Sequence, residues 1–191
     1  MSKPLSEMTN EELWKLFPIM LSGHLPVWKE RYEAEKELIA NAIGSANIVS
    51  MNHYGSTSVP GLTAKPTIDI LLEIAEDADP KKLQQGMKSI GYLYSPQPND
   101  PPPSMMFMKG YTPRGFVGQV YHVHVRYYGD WDELYFRDYL IRHPDVAAEY
   151  GELKKQLLKQ FEFDRDGYTA AKGGFIRRIT TLARQEQYKR P

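Results

Sequence analysis

The chain has 191 residues, with 24 Lys+Arg against 24 Asp+Glu and no cysteine. A chain of this length buries roughly 70% of its unfolded surface and supports one compact domain without a covalent staple. The lack of thiols excludes disulfides and thiolate metal sites, which leaves His, carboxylate and oxygen ligands suited to Mg, Mn or a His-bound transition metal, and the zero formal net charge argues against long nucleic acid as a partner.

The N-terminal residues have no basic stretch followed by an apolar core, so they do not form a signal-peptide pattern. No apolar run approaches the ~20 residues that span a bilayer. The expectation is a soluble, cytoplasmic chain with no membrane partner. Thr9 or Asn10 caps a short helix that carries Trp14 and Phe17, with Glu11 and Glu12 in its first turn. We read residues 1–24 as a helical extension and residues 25–191 as a single domain, helical from about residue 130.

Pro26 opens a second helix, in which Trp28, Tyr32, Leu38, Ile39, Ala42 and Ile43 recur at helical spacing up to Gly44. Residues 48–54 read as a strand. "SVPGL" reads as a turn centred on Pro60 and Gly61, and "TIDILLEI" as a central strand. Asp79 and Pro80 start a helix with Leu83, Met87 and Ile90 on one face and Gly91 at its C-terminal end. "GYLYS" is a short strand and "PQPNDPPPS" a stiff, polyproline-like loop. "SMMFMKG" and "FVGQVYHVHVRYY" pair as strands around "GYTPRG". Asp130 and Glu133 form a capping box for a helix to about Arg142, and Pro144 starts another that presents Val146, Tyr150, Leu153 and Leu157. A last helix runs from about Tyr168, with Phe175, Ile176, Ile179 and Leu182 inward. This order of elements specifies an α+β domain with a helical C-terminal part.

Four features carry possible chemistry. The loop Gly55, Ser56, Thr57, Ser58 offers close backbone approach and hydroxyl donors. It serves either a phosphate or an ordinary tight turn. Asp69 is a carboxylate inside an apolar strand, where it either holds a divalent ion or pairs with Lys65 or another basic residue for structure. It shares a strand face with Leu71 and Glu73, but Glu73 lies about 13 Å along the strand, too far to share one ion. His122 and His124 share another strand face at about 7 Å, as a metal or phosphate pair or as ordinary strand histidines. If their strand neighbours that of Asp69, the three side chains converge. Tyr150 with Lys154, and Tyr168 with Lys172, stand four apart on helices, so each pair presents a ring and an ammonium together. Gly173 and Gly174 permit close approach within the last helix, and Arg137 with Asp138 reads as a structural ion pair.

Taken together, "GSTSVPGLTAKPTIDILLEI", "YHVHV", "FRDYLIRHPDVAAEYGELKKQL" and "YTAAKGGFIRRI" resemble the GrpB family, in that family's order, from about residue 25 to about residue 180. The family is similar to the nucleotidyltransferase superfamily (polymerase-β-like), which implies a mixed sheet flanked by helices. The resemblance implies that Gly55 and Ser56 match the phosphate loop and Asp69 the first metal carboxylate. Leu71 departs from the second carboxylate of that pattern, and His122 or His124 stands where a third would be. The expectation is a protein that binds a nucleoside triphosphate with Mg or Mn and transfers a nucleotidyl group to a small acceptor. Asp69, His122 and His124 would be catalytic, with Asp69 and His124 on the metal. Gly55, Ser56, Thr57, Lys65, Lys154 and Lys172 would hold the phosphates, and the proline-dense loop would border the acceptor. One alternative is a non-catalytic module binding a nucleotide or a CoA precursor, which Leu71 favours. Another is a metal-dependent phosphate-ester hydrolase using Asp69 and the His pair.

Overall fold

The structure is a computed structural model that describes residues 3–186. Its helices are α1 (Asn10–Leu16), α2 (Val27–Ile43), α3 (Pro80–Ser89), α4 (Asp132–Arg142), α5 (Pro144–Phe161) and α6 (Arg165–Glu186). Its strands are β1 (Ile48–Tyr54), β2 (Thr67–Ile74), β3 (Leu93–Pro96), β4 (Met105–Thr112) and β5 (Gly115–Tyr127). They form one sheet in the order β1-β2-β5-β4-β3. β2 and β5 are parallel, and the other neighbours are antiparallel. This is the mixed, helix-flanked α+β architecture expected from the order of elements, and it is consistent with a nucleotidyltransferase-like fold.

Alternation along β2 and β5 decides what each face of the sheet does. Ile68, Ile70, Leu72, Val123 and Val125 point to one face and are fully buried with Trp28 and Ile39 of α2 and Met87 of α3. The opposite face carries the polar residues of these strands. A second apolar cluster lies among α4, α5 and α6, where Tyr135, Tyr139, Tyr150 and Ile179 meet Val59 and Leu62 of the segment between β1 and β2.

The chain before α2 packs onto this body. Thr9 and Glu12 form a reciprocal capping box at the start of α1. Phe17 packs edge-on against Tyr111 and at a tilt against Phe116. The Ile19 N–H donates to the Glu162 carbonyl at 3.0 Å. Among the described residues, no helix is long and apolar enough to cross a membrane.

Four local expectations are corrected. α4 starts at Asp132 after Trp131 with no side-chain cap, so Asp130 and Glu133 make no capping box. Asp130 and Asp132 instead each accept from Arg184 of α6 at 2.6 Å, so a tertiary charge contact displaces a local one. α6 starts at Arg165, because the Asp164 carboxylate accepts from the Gly167 N–H at 2.8 Å. Leu182 is 37% exposed, and its neighbour Ala183 takes the inward place one turn after Ile179. The proline-dense stretch is not extended. It folds back on itself, with the Gln97 N–H donating to the Ser104 carbonyl at 2.8 Å and the Ser104 N–H to the Pro101 carbonyl at 3.0 Å.

Candidate active site

The parallel β2–β5 register sets Asp69 beside His122 and Leu71 beside His124. The condition for convergence is therefore met. Asp69 Oδ1 lies 3.4 Å from His122 Nδ1. Ligand-capable atoms of Asp69, His122 and His124 all lie within 4.8 Å of one another. Burial would raise the Asp69 pKa, but a hydrogen bond from His122 and the charges of His122, His124 and Lys65 hold it below the usual value. Burial pushes His124 down to about 4, so it is neutral at neutral pH and able to ligate. Among the described residues the Asp69 carboxylate meets the His122 imidazole rather than Lys65, an ion pair only when that ring is protonated. Leu71 is buried at 1% exposure.

Gly55 runs directly over the carboxylate. Its φ is +73°, and a Cβ there would stand 2.5 Å from Asp69 Oδ2. Only glycine lets the loop take this path at this distance. Lys154 Nζ of α5 donates to Ser56 Oγ at 2.9 Å and also to the Thr63 carbonyl. Thr57 turns the other way. It is 2% exposed and donates to the Thr67 carbonyl at 2.9 Å, with His53 Nε2 also 2.9 Å from its hydroxyl. Thr57 therefore ties the loop to the start of β2 and does not line the cavity that opens above Asp69.

Gly55, Ser56, Lys65, Asp69, His122, His124, Lys154 and Lys172 all line that cavity. The ammonium of Lys154 sits 4.5 Å from the Tyr150 ring centre, and that of Lys172 sits 4.5 Å from Tyr168. Both four-residue pairs thus form as read from their spacing. Lys65 approaches the Tyr168 ring at 5.7 Å. Burial pushes Lys154 down to about 7, helped by Lys172 and Lys65. Burial, then Lys65, pushes Lys172 down to about 7 against the pull of Asp69. Burial and Arg165 lower Lys65. Three lysines partly stripped of water in one cavity give it an electrostatic character suited to an anion.

Two further residues join the site without having been singled out. Tyr111 Oη lies 2.7 Å from His122 Nε2, and Arg165 Nη2 lies 3.4 Å from Tyr111 Oη. Tyr111 arrives through the irregular register between Lys109 and Tyr111 on β4, and Arg165 is the first residue of α6. The run "DRDGY", with an acidic cap and a cation ahead of Tyr168, was the available signal for Arg165. The irregular register left none for Tyr111. Arg137 bonds Asp138 at 2.6 Å, and its guanidinium donates to the His53 carbonyl at 3.1 Å, so this ion pair braces β1. Gly173 and Gly174 do not line the cavity.

The profile of the GrpB protein family matches residues 18–182. A UPF0157 protein of Pseudomonas aeruginosa is 40% identical over 81% of this chain, which spans 63% of that relative's length. The UPF0157 protein YqkA of Bacillus subtilis is 35% identical over 78% of this chain, which spans only 43% of that relative. The glutamate-rich protein GrpB of Alkalihalophilus pseudofirmus is 32% identical over 84% of this chain and 93% of its own length. The crystal structure of the conserved protein GrpB from Enterococcus faecalis superposes with a TM-score of 0.78 at 30% identity, over 89% of this chain and all of that one.

Proposed function

This chain belongs to the GrpB family, and from that premise we propose that its cavity binds a metal-chelated nucleoside triphosphate and transfers the nucleotidyl group to a small acceptor. One observation carries the reading. The Asp69, His122 and His124 ligand atoms, within 4.8 Å of one another, share a cavity with Lys65, Lys154 and Lys172. A divalent-ion donor set beside a cluster of ammonium groups is the arrangement that a triphosphate with its ion requires.

Asp69 and His124 would hold the ion, and a carboxylate with an imidazole fits Mn or another His-bound transition metal better than Mg, which prefers oxygen ligands. When bound, such an ion neutralises charge on the transferring phosphoryl group. The chain's own residues do the rest. Ser56 and the ammonium groups of Lys154, Lys172 and Lys65 hold the outer phosphates. The acceptor hydroxyl oxygen bonds to the α-phosphorus, the bond to the bridging oxygen breaks, and its electron pair leaves on pyrophosphate. The hydroxyl proton passes to Tyr111 Oη as the phenol gives its own proton to His122 Nε2 at 2.7 Å, with Asp69 facing the other ring nitrogen.

The test is thermal unfolding of the wild type and Asp69→Asn with each of four nucleoside triphosphates, with and without Mn or Mg. A triphosphate at ~100 times its dissociation constant adds about 2.7 kcal/mol, or roughly 5–10 °C for a chain of this size. The expected result is a metal-dependent rise that Asp69→Asn abolishes. No rise with any triphosphate would refute the proposal. Buried Leu71 favours a second reading, a binding module without turnover, because a bridging pair of carboxylates on β2 is lacking. That reading expects a thermal rise with no pyrophosphate release across an acceptor screen. The hydrolase alternative expects turnover of phosphate esters with no acceptor at all.

A further inference from the structure

The cavity has about 1880 Å³. That exceeds the ~300–1,000 Å³ that encloses one small ligand. Its walls also differ in chemistry. Lys65 comes from the segment between β1 and β2, and the other lysines and most arginines from α5 and α6; Arg126 of β5 also lines the cavity, but its guanidinium is held by Asp100 at 2.9 Å. On the other side of the His pair, α1, β3, β4 and the loop between β3 and β4 contribute no charged side chain to the lining.

The sheet register explains this half. Met108 pairs with His122 and Met106 with His124, one strand away, and Leu93 pairs with Met108 one strand further. At about 4.8 Å per strand, an apolar floor begins beside the two imidazoles and runs about 10 Å to the sheet edge. Leu13 and Trp14 of α1 wall it on one side and Pro101 on another.

We propose that this trough is the acceptor subsite, and that the acceptor is a small molecule with an uncharged, apolar body carrying the reacting hydroxyl at the His end. The assignment rests on the nucleotidyl-transfer reading for the order of the two substrates. A nucleobase fits this half poorly, because its polar edge would lose water without gaining partners. Gln97, a polar residue of this wall, already donates to Ser95 Oγ at 3.1 Å. The opposite end of the cavity suits the nucleoside better. Thr180 there is 6% exposed, lines the cavity and has no partner for its hydroxyl among the described residues.

The experiment titrates the full chain with 1-butanol, 1-hexanol and 1-octanol, followed by ligand-observed NMR. Each buried methylene should tighten binding about fourfold. Met106→Glu and Leu93→Glu, both at sites open to the cavity, should each weaken 1-octanol at least tenfold. Both variants should keep the thermal response to Mn with triphosphate. Leu93 is 44% exposed, so its replacement keeps the fold even if that of Met106 does not. Affinity independent of chain length would overturn the assignment, and so would an unchanged 1-octanol affinity in Leu93→Glu. Displacement of 1-octanol by adenosine would also overturn it, since the base would then occupy the trough. A steep alcohol series that Leu93→Glu weakens, in a wild type that binds no triphosphate, would uphold the apolar subsite and sink nucleotidyl transfer.

Discussion

Asp69 and Glu73 stand on the same face of the same strand, and they live in opposite circumstances. Glu73 is fully buried and enclosed by protein donors. Its Oε1 accepts from the Gly129 N–H and from Trp131 Nε1, both at 3.0 Å, and its Oε2 accepts from Ser50 Oγ at 2.5 Å. Asp69 has a side chain 26% exposed to the cavity, with an imidazole at 3.4 Å and the backbone of Gly55 overhead. A carboxylate surrounded by donors from its own chain holds the fold together. One that faces a cavity with imidazoles and ammonium groups around it is placed for something that comes from outside.

The largest expected effect tests the structural end of this comparison. Glu73→Ala would orphan the Ser50, Gly129 and Trp131 donors in a buried site, a loss of about 3 kcal/mol by urea denaturation. Triphosphate binding by the folded fraction should be unchanged. An effect under about 1 kcal/mol would erase the distinction between the two acids.

Next is Gly55→Ala. The added Cβ meets Asp69 Oδ2, and the positive φ strains any other residue, so about 1–3 kcal/mol should be lost. Because the clash is with the carboxylate proposed to hold the ion, Mn affinity should fall in the same variant. A loss of stability with Mn affinity intact would separate the loop from the site.

The pH dependence accumulates over several units and tests the buried imidazoles and the lysines of the cavity. His53 and His124 are pushed by burial to about 4 from 6.5. The unfolded chain therefore binds protons first, and stability should fall as pH drops from about 6.5 toward about 4. Lys154 and Lys172 are pushed down to about 7 from 10.5. The unfolded chain again holds more protons above pH 7, so stability should rise from about pH 7 toward about pH 10. The slope is at most about 1.4 kcal/mol per pH unit for each lysine. Lys154→Met should flatten that limb. A bound triphosphate should flatten it too, because the anion keeps the ammonium groups charged.

The smallest effect on stability is expected where the functional effect is largest. Asp69→Asn should change unfolding by no more than about 1 kcal/mol while removing Mn binding, measured by calorimetry on the purified chain. A loss comparable to that of Glu73→Ala would make Asp69 a second structural acid.

Much of this was legible in the chain itself. Strands at 48–54 and 67–74 match the structure to the residue, because a strand pattern, including the β-branched apolar run of 67–74, is a local property. Gly55 of the hydroxyl-rich loop, the lone strand Asp, the HxH pair and the Tyr–Lys pairs were each visible for the same reason: each depends on spacing within a short stretch. Asp130 misled, since its capping pattern is local but Arg184, some fifty residues on, outbids it with a charged contact at 2.6 Å.

Sequence alone therefore determined the elements, the faces they present and the residue types available for chemistry, since a few neighbouring residues set backbone period and side-chain direction. Which faces meet was decided only by the tertiary structure. The parallel pairing of β2 with β5 spans a helix and two intervening strands, and it alone brings Asp69 to His122 and His124. The irregular register of β4 after Lys109 brings Tyr111 to His122, and the return of α5 and α6 brings Lys154, Lys172 and Arg165 to the same cavity. Those meetings depend on how complementary apolar surfaces pack across the whole chain, which no local window of residues contains.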